Sequence, residues 1–228
     1  GTTIMFLLTK GGVLTDIGKK NWLGQQENRG DPKYLGNKPT NIFIIGTVRN
    51  PFEYYVSFWK MICSCAMSNP FTYWGASLDA IKKKSNIDFS DVYSPENTTI
   101  SFCFNRWLYL ILKVLGGITC HKNPRPKSIS NVYKKMMLDI NDNEIYDAIV
   151  QLDNFYPSLR KALEKYEKLV PNSINWENFN KYANIDKICN KRKKDTENYF
   201  KYYSKDSIKL VKLHDNFILK KYNYSFHS

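Results

Sequence analysis

Ile42-Phe43-Ile44-Ile45-Gly46-Thr47-Val48-Arg49-Asn50-Pro51-Phe52-Glu53-Tyr54-Tyr55-Val56-Ser57-Phe58-Trp59 is the stretch that decides the fold class. Ile42 to Val48 is almost continuously apolar and β-branched, which predicts a strand covered on both faces. Asn50 follows as a helix N-cap. Pro51 takes the first helical position, where its missing N–H costs nothing. Glu53 falls three residues after Asn50, as in a capping box. Phe52, Tyr55, Val56 and Trp59 recur at i, i+3, i+4 and i+7, a helix face expected to pack on the sheet. Arg49 then stands at the carboxyl end of a strand, beside a helix N-terminus. Open α/β sheets bind ligands there, and anions are favoured. Ser57 lies two turns into the helix, on the side of Asn50 and Glu53, and presents a hydroxyl to the same neighbourhood. The fold class expected is α/β, a central parallel sheet flanked by helices.

The whole chain bounds what such a site can serve. Its 228 residues can bury a good core as one domain, and a hydrophobic content of 43% predicts a folded protein. The net charge of +13 predicts an anionic partner: nucleic acid, an acidic membrane surface, a nucleotide or an acidic polysaccharide. A bias towards Lys and Asn accounts for part of that charge. Five cysteines are an odd number, and Cys63-Ser64-Cys65 is too close for a metal knuckle, which argues against a zinc site. No metal is expected, and reduced thiols are the default. No stretch reads as a signal peptide. The apolar run Trp107 to Leu115 is too short to span a bilayer and carries Lys113, with Arg106 before it, so no transmembrane segment is expected. Two sequons, at Asn97 and Asn223, arise easily in an Asn-rich chain.

Around the central unit, Ile4 to Leu8 predicts a short apolar helix that Gly11-Gly12 ends, with Thr2 or Thr3 as its cap. Gly1-Thr2-Thr3 offers free N–H groups and two hydroxyls, a phosphate cradle of the kind that follows a strand, so a strand is expected ahead of Gly1. Residues 16–40 are polar and glycine-rich, with Glu27 the only acid between Asp16 and Asp31. From Cys63 to Thr99 the chain reads as irregular, with aromatics mixed among lysines. Such a mixture suits sugar or nucleotide stacking, or pins a long loop to the body. Phe102 to Leu115 predicts a helix buried nearly all round. Thr119 to Ser130 is a basic, Pro-broken loop containing His121. Ala148-Ile149-Val150 is a second candidate strand, and Ser158 to Leu169 an amphipathic helix stopped by Pro171. Asn172 to Asn190 reads as polar connection. Lys191-Arg192-Lys193-Lys194 is the densest basic run, and Ser204 caps a last helix reaching about Lys221. His214 on that helix is expected to be a partnered residue at the core edge.

Four of these features together resemble one family. Val48-Arg49-Asn50-Pro51 followed by Ser57 looks like the 3′-phosphate motif of sulfotransferases, carbohydrate-modifying or related bacterial and viral types. Gly1-Thr2-Thr3 looks like the tail of the family's 5′-phosphosulfate loop, P-K-[TS]-G-[TS]-[TS]. Gln151-Leu152-Asp153-Asn154-Phe155 is similar to its strand ending in an E-N-L-like turn. Asn190-Lys191-Arg192-Lys193, Tyr202-Tyr203-Ser204 and the end Lys221-Tyr222-Asn223-Tyr224 resemble its N-x-S, Y-Y-[DS] and F-G-Y pattern. The likeness spans essentially the whole chain, and its first motif is the most specific.

The resemblance implies a P-loop-like sulfotransferase fold in a single domain, with an acceptor-binding insert around residues 63–101. It implies an enzyme that moves a sulfuryl group from 3′-phosphoadenosine 5′-phosphosulfate (PAPS) to a hydroxyl of a glycan or similar polar acceptor. Arg49 and Ser57 would hold the 3′-phosphate, a doubly charged group suited to an Arg fork and a hydroxyl. Gly1, Thr2 and Thr3 would hold the phosphosulfate, and Lys191, Arg192 and Lys193 would close over the nucleotide. The loop lysine of the family falls ahead of Gly1. A general base is also required; Glu27 is the nearest candidate and His121 the alternative. The favoured compartment is the cytoplasm, with the Golgi lumen as the alternative. Two competing readings are a catalytically impaired relative that binds nucleotide or anionic glycan, and a basic nucleic-acid-binding protein. Against the latter, the basic runs are scattered and no RRM, zinc-finger or helix-turn-helix signature is present.

Overall fold

The computed structural model of the chain describes residues 7–8, 10–20, 43–68, 100–114, 128–139, 141–183 and 199–226. They form a mixed α/β protein in two compact units. One unit comprises Gly1–Arg49 with Met136–Lys193, and the other Asn50–Lys135 with Lys194–Ser228.

The first unit holds a parallel strand pair. β1 (Ile45–Val48) pairs with β2 (Ala148–Gln151) in the register Ile45 to Ala148 through Val48 to Gln151. The expected strand Ala148 to Val150 is therefore present. The strand expected from Ile42 is shorter, because Asp147 replaces the ladder at Ile44. Its Oδ2 accepts the Ile44 N–H at 2.8 Å, and its own N–H donates to the Ile44 carbonyl at 2.8 Å. Only one face of β1 is fully covered: Gly46 and Val48 are buried, while Ile45 and Thr47 are half-buried.

Helix packing completes this unit. α1 (Asp16–Lys20) is capped by Thr15, whose Oγ1 accepts the Gly18 N–H at 3.2 Å. Leu7 and Leu8 are helical and buried, and Gly12 adopts φ 66°, so the paired glycines end that turn as expected. Leu14 then bridges Ile174 antiparallel, and the Thr15 N–H donates to the Ser173 carbonyl at 2.9 Å. α5, the amphipathic helix expected from Ser158, spans Phe155–Glu167 and ends before Pro171. It starts three residues early because Pro157 sits in the first turn, where an N–H would find no helical partner. Asn172 to Asn190 is not all connection. Asn175 caps α6 (Trp176–Ala183), its Oδ1 accepting the Asn178 N–H at 3.0 Å. Leu159, Leu163, Tyr166 and Phe179 close on Leu14 and Val150 to make the core.

Gly18 in this unit is required by close approach. A Cβ there would lie 2.4 Å from the Ser173 carbonyl oxygen. Alanine is the better helix former by about 1 kcal/mol, but backbone overlap of this kind costs about 1–3 kcal/mol, and a five-residue helix exploits little of the propensity gain. Gly18→Ala is therefore expected to destabilise by about 2 kcal/mol in urea unfolding; a stabilised variant would refute the close packing of α1 on the backbone at Ser173.

The second unit is helical. α2 (Pro51–Ser68) begins at the expected cap, the Phe52 N–H donating to Asn50 Oδ1 at 3.1 Å. It runs on through Cys63 to Ser68, beyond the expected end, since no Gly or Pro interrupts the chain before Pro70. α3 (Ile100–Tyr109) continues into a π-helical turn at Leu110–Val114. It is not buried all round: Tyr109 is 51% exposed and Lys113 lies over its ring at 5.6 Å. α4 (Ile129–Met137) opens in this unit on Ser128, whose Oγ accepts the Asn131 N–H at 3.3 Å. After a 3-10 turn at Tyr199–Tyr202 come α7 (Lys205–His214) and α8 (Asn216–Lys221). Ser204 caps α7 in a capping box with Ser207. The single last helix expected to run to Lys221 is broken at Asp215. The face Phe52, Tyr55, Val56 and Trp59 is buried as the periodicity predicts, but the core it joins is helical rather than the sheet. Its partners are Phe104, Trp107, Leu108, Tyr202, Tyr203 and Val211. No helix among the described residues is long and apolar enough to cross a membrane.

Candidate functional site

Parallel pairing aligns the carboxyl ends of the two strands. The Leu152 N–H donates to the Val48 carbonyl at 2.9 Å, the last rung before both chains turn away. Arg49 leaves β1 at this edge and Leu152-Asp153-Asn154 leaves β2. Arg49 is half-buried.

Asn50 is 7% exposed and fully committed to structure. Its Oδ1 caps α2, its carbonyl accepts the Tyr54 N–H at 3.0 Å, and its Nδ2 donates to the Ser225 carbonyl at 3.3 Å. The first turn of α2 therefore offers little to an anion. Pro51 has no N–H, the Phe52 N–H goes to the cap, and the Tyr54 N–H is the first helical bond. Arg49 is the cationic residue that follows β1 in the first unit. Ser57 is half-buried, two turns or about 10 Å along α2 from Asn50.

α2 is fixed from beneath by a buried polar group that the sequence did not single out. The Tyr55 hydroxyl donates to Asp215 Oδ2 at 2.8 Å, and the Ser130 N–H donates to Asp215 Oδ1 at 2.7 Å. Burial pushes the Asp215 carboxyl above its ordinary range, although the hydrogen bonds from Ser130, Tyr55 and Ser128 pull the other way. Burial, with the neighbouring Asp215 charge, also raises Tyr55 and Tyr203 well above a free phenol, so both remain protonated donors. The Tyr203 hydroxyl uses its proton on the Phe52 carbonyl at 2.8 Å. The signal for Asp215 in the sequence is an acid beside the apolar stripe Leu210, Val211, Phe217 and Ile218.

A second feature lies on the far edge of β2. A pocket of about 290 Å³ sits between that edge and α5, with Ile149, Asn154, Ser158, Lys161 and Lys165 in its lining. Ser158 Oγ accepts the Gln151 N–H at 3.0 Å and donates into the Asn154 carbonyl at 2.7 Å, which locks the β2–α5 turn. Asn154 makes no side-chain cap bond of its own.

Of the residues expected at the site, Arg49 and Ser57 are described. Gly1, Thr2, Thr3, Glu27, His121, Lys191, Arg192 and Lys193 lie outside the described residues, as does the acceptor insert between residues 69 and 99. Residues 63–68 of that insert belong to α2, and Ile100 and Ser101 to α3. His214 is half-buried, and its carbonyl accepts the Ser128 hydroxyl at 3.1 Å. No group of three His, Cys, Asp or Glu among the described residues is placed to hold a metal ion. No protein-family model, curated protein or solved structure matches the chain.

Proposed function

We propose that the protein is a PAPS-dependent sulfotransferase acting on a hydroxyl of a glycan or similar polar acceptor. The observation that carries this reading is the position of Arg49 just after the carboxyl end of a parallel strand; in the sequence the Asn50-Pro51 helix start and Ser57 follow it at the spacing of the motif. A fork of donors and a hydroxyl suit the 3′-phosphate of the nucleotide. The net charge of +13 favours a polyanionic nucleotide as well. In the reaction, the acceptor oxygen attacks sulfur in line and the bond from sulfur to the bridging phosphate oxygen breaks. Adenosine 3′,5′-bisphosphate leaves, and the acceptor proton passes to a base, Glu27 or His121. Positioning and charge neutralisation would supply most of the rate, as in phosphoryl transfer.

Adenosine 3′,5′-bisphosphate should raise the melting temperature of the wild-type protein. Arg49→Ala should weaken its binding by about 100-fold, since a charge-assisted hydrogen-bond fork is worth about 3 kcal/mol. Arg49→Lys should recover only part, because an ammonium lacks the planar fork. Absence of any shift in the wild type would sink the proposal. Transfer of labelled sulfate from PAPS to a glycan panel separates a catalyst from a protein that only binds. A steeply salt-dependent gel shift with nucleic acid, untouched by Arg49→Ala, would favour the basic nucleic-acid-binding alternative.

A further inference from the structure

We infer that the pocket between β2 and α5 is a binding site for a small acidic sugar of the uronic-acid type, held without Arg49. β2 faces β1 through Ala148, Val150 and Leu152, as the Ala148 and Leu152 N–H bonds to the Ile44 and Val48 carbonyls require. Ile149 and Gln151 therefore turn their peptide groups to the opposite edge, and the Asp147 carbonyl points there too, although the Asp147 N–H stays on Ile44. α5 clasps two of these three. Ser158 Oγ takes the Gln151 N–H at 3.0 Å, and Lys165 Nζ donates to the Asp147 carbonyl at 2.6 Å. Ile149 stands between the clasps, and no protein group among the described residues meets its outward N–H and C=O. The helix turn opposite it carries Ala162, whose short side chain leaves the space open, and Lys161, which is exposed and has no partner among the described residues.

The chemistry of the lining selects the occupant. A strand cannot add to this edge, because the groups on either side of Ile149 are already taken. A volume of about 290 Å³ lies just below the usual range of ligand pockets, roughly 300–1,000 Å³, which suits a single sugar rather than a chain. The Ile149 pair needs an acceptor and a donor side by side, which adjacent sugar hydroxyls supply. Lys161 and Lys165 bring two positive charges to the lining and Asp147 one negative, since the Lys165 bond to the Asp147 backbone carbonyl neutralises nothing; the balance of one positive charge calls for a monoanion rather than a phosphate dianion. The inference does not depend on the sulfotransferase reading.

Glucuronate is the probe, with glucose as its neutral counterpart, titrated into the full chain and followed through the Ile149 backbone amide by NMR. Glucuronate should shift that amide, and glucose should bind at least fivefold more weakly. Lys161→Ala should lower glucuronate affinity about five- to tenfold and Lys161→Glu should abolish binding, as expected for one charge-assisted contact. Lys161 is exposed, so neither variant threatens folding. Arg49→Ala should leave glucuronate binding unchanged, and Lys161→Ala should leave adenosine 3′,5′-bisphosphate binding unchanged. The inference is overturned if the Ile149 amide does not move, if glucose binds equally, if Lys161→Ala has no effect, or if Arg49→Ala removes glucuronate binding.

Discussion

Phe104→Ala is expected to destabilise the protein by about 4 kcal/mol, near the upper end for large-to-small core changes. Phe104 is wholly buried on α3 and is ringed by other aromatics. Its centroid lies 4.9 Å from Tyr203, 5.8 Å from Tyr202, 5.8 Å from Trp59 and 5.8 Å from Trp107. The Tyr203, Tyr202 and Trp59 contacts are edge-on, the arrangement that aligns ring quadrupoles. Removing the ring costs its transfer free energy and leaves a cavity. Rigid rings drawn from three segments of chain cannot flow into that space as aliphatic side chains do, so relaxation recovers little. Phe104→Leu keeps most of the volume and should cost about 1.5 kcal/mol. Tyr109→Ala, on the exposed side of the same helix, should stay within about 0.5 kcal/mol. Urea unfolding of the three variants measures the differences. A Phe104→Ala loss no larger than that of Tyr109→Ala would mean that the aromatic cluster does not pack as a unit.

Local signals were legible in the sequence. The Asn50-Pro51 start, the Ser204 cap and the Gly11-Gly12 stop each depend on residues within one turn of chain, and each is present. Ala148-Ile149-Val150 reads as a strand because two β-branched residues, Ile149 and Val150, stand side by side in a short apolar run. Long-range effects were not legible. The break at Asp215 is set by Tyr55, 160 residues away, and Ser130, 85 residues away. α6 hid because Trp176, Phe179 and Tyr182 stand among polar residues, and only the bridge from Leu14 to Ile174 brings an apolar surface to them. The face of α2 was read correctly as buried, but periodicity cannot say whether a helix or a sheet buries it. The candidate sites divide in the same way. The place of Arg49 just after a strand was legible in the sequence, whereas Lys161 reads as any surface lysine until the strand edge opposite it is known.

Asp215→Ala should cost about 3 kcal/mol at neutral pH. It strips the acceptor from two buried donors, the Tyr55 hydroxyl and the Ser130 N–H, and each orphaned donor costs about 1–3 kcal/mol. Relief from burying a carboxylate offsets part of that loss. Asp215→Asn separates the two effects, since its amide oxygen can accept the Ser130 N–H while its NH₂ donates to the Tyr55 oxygen. The Asn variant should lose about 1 kcal/mol and, unlike the wild type, carry no ionisable group at this position. The sign of the pH dependence follows from the raised carboxyl. The folded chain holds the Asp215 proton more tightly than the unfolded chain does, because burial outweighs the hydrogen bonds. The stability contributed by this proton is fully present below the unfolded value of about 3.9, and is lost as pH rises through the higher folded value. The stability advantage of wild type over Asp215→Asn should therefore be greatest near the acid end and shrink as pH rises towards neutrality. Urea unfolding of both proteins across that range reads the difference directly. An advantage that widened with rising pH would mean that the Tyr55 and Ser130 hydrogen bonds outweigh burial, and that the carboxylate rather than the acid is the favoured form inside the helical core.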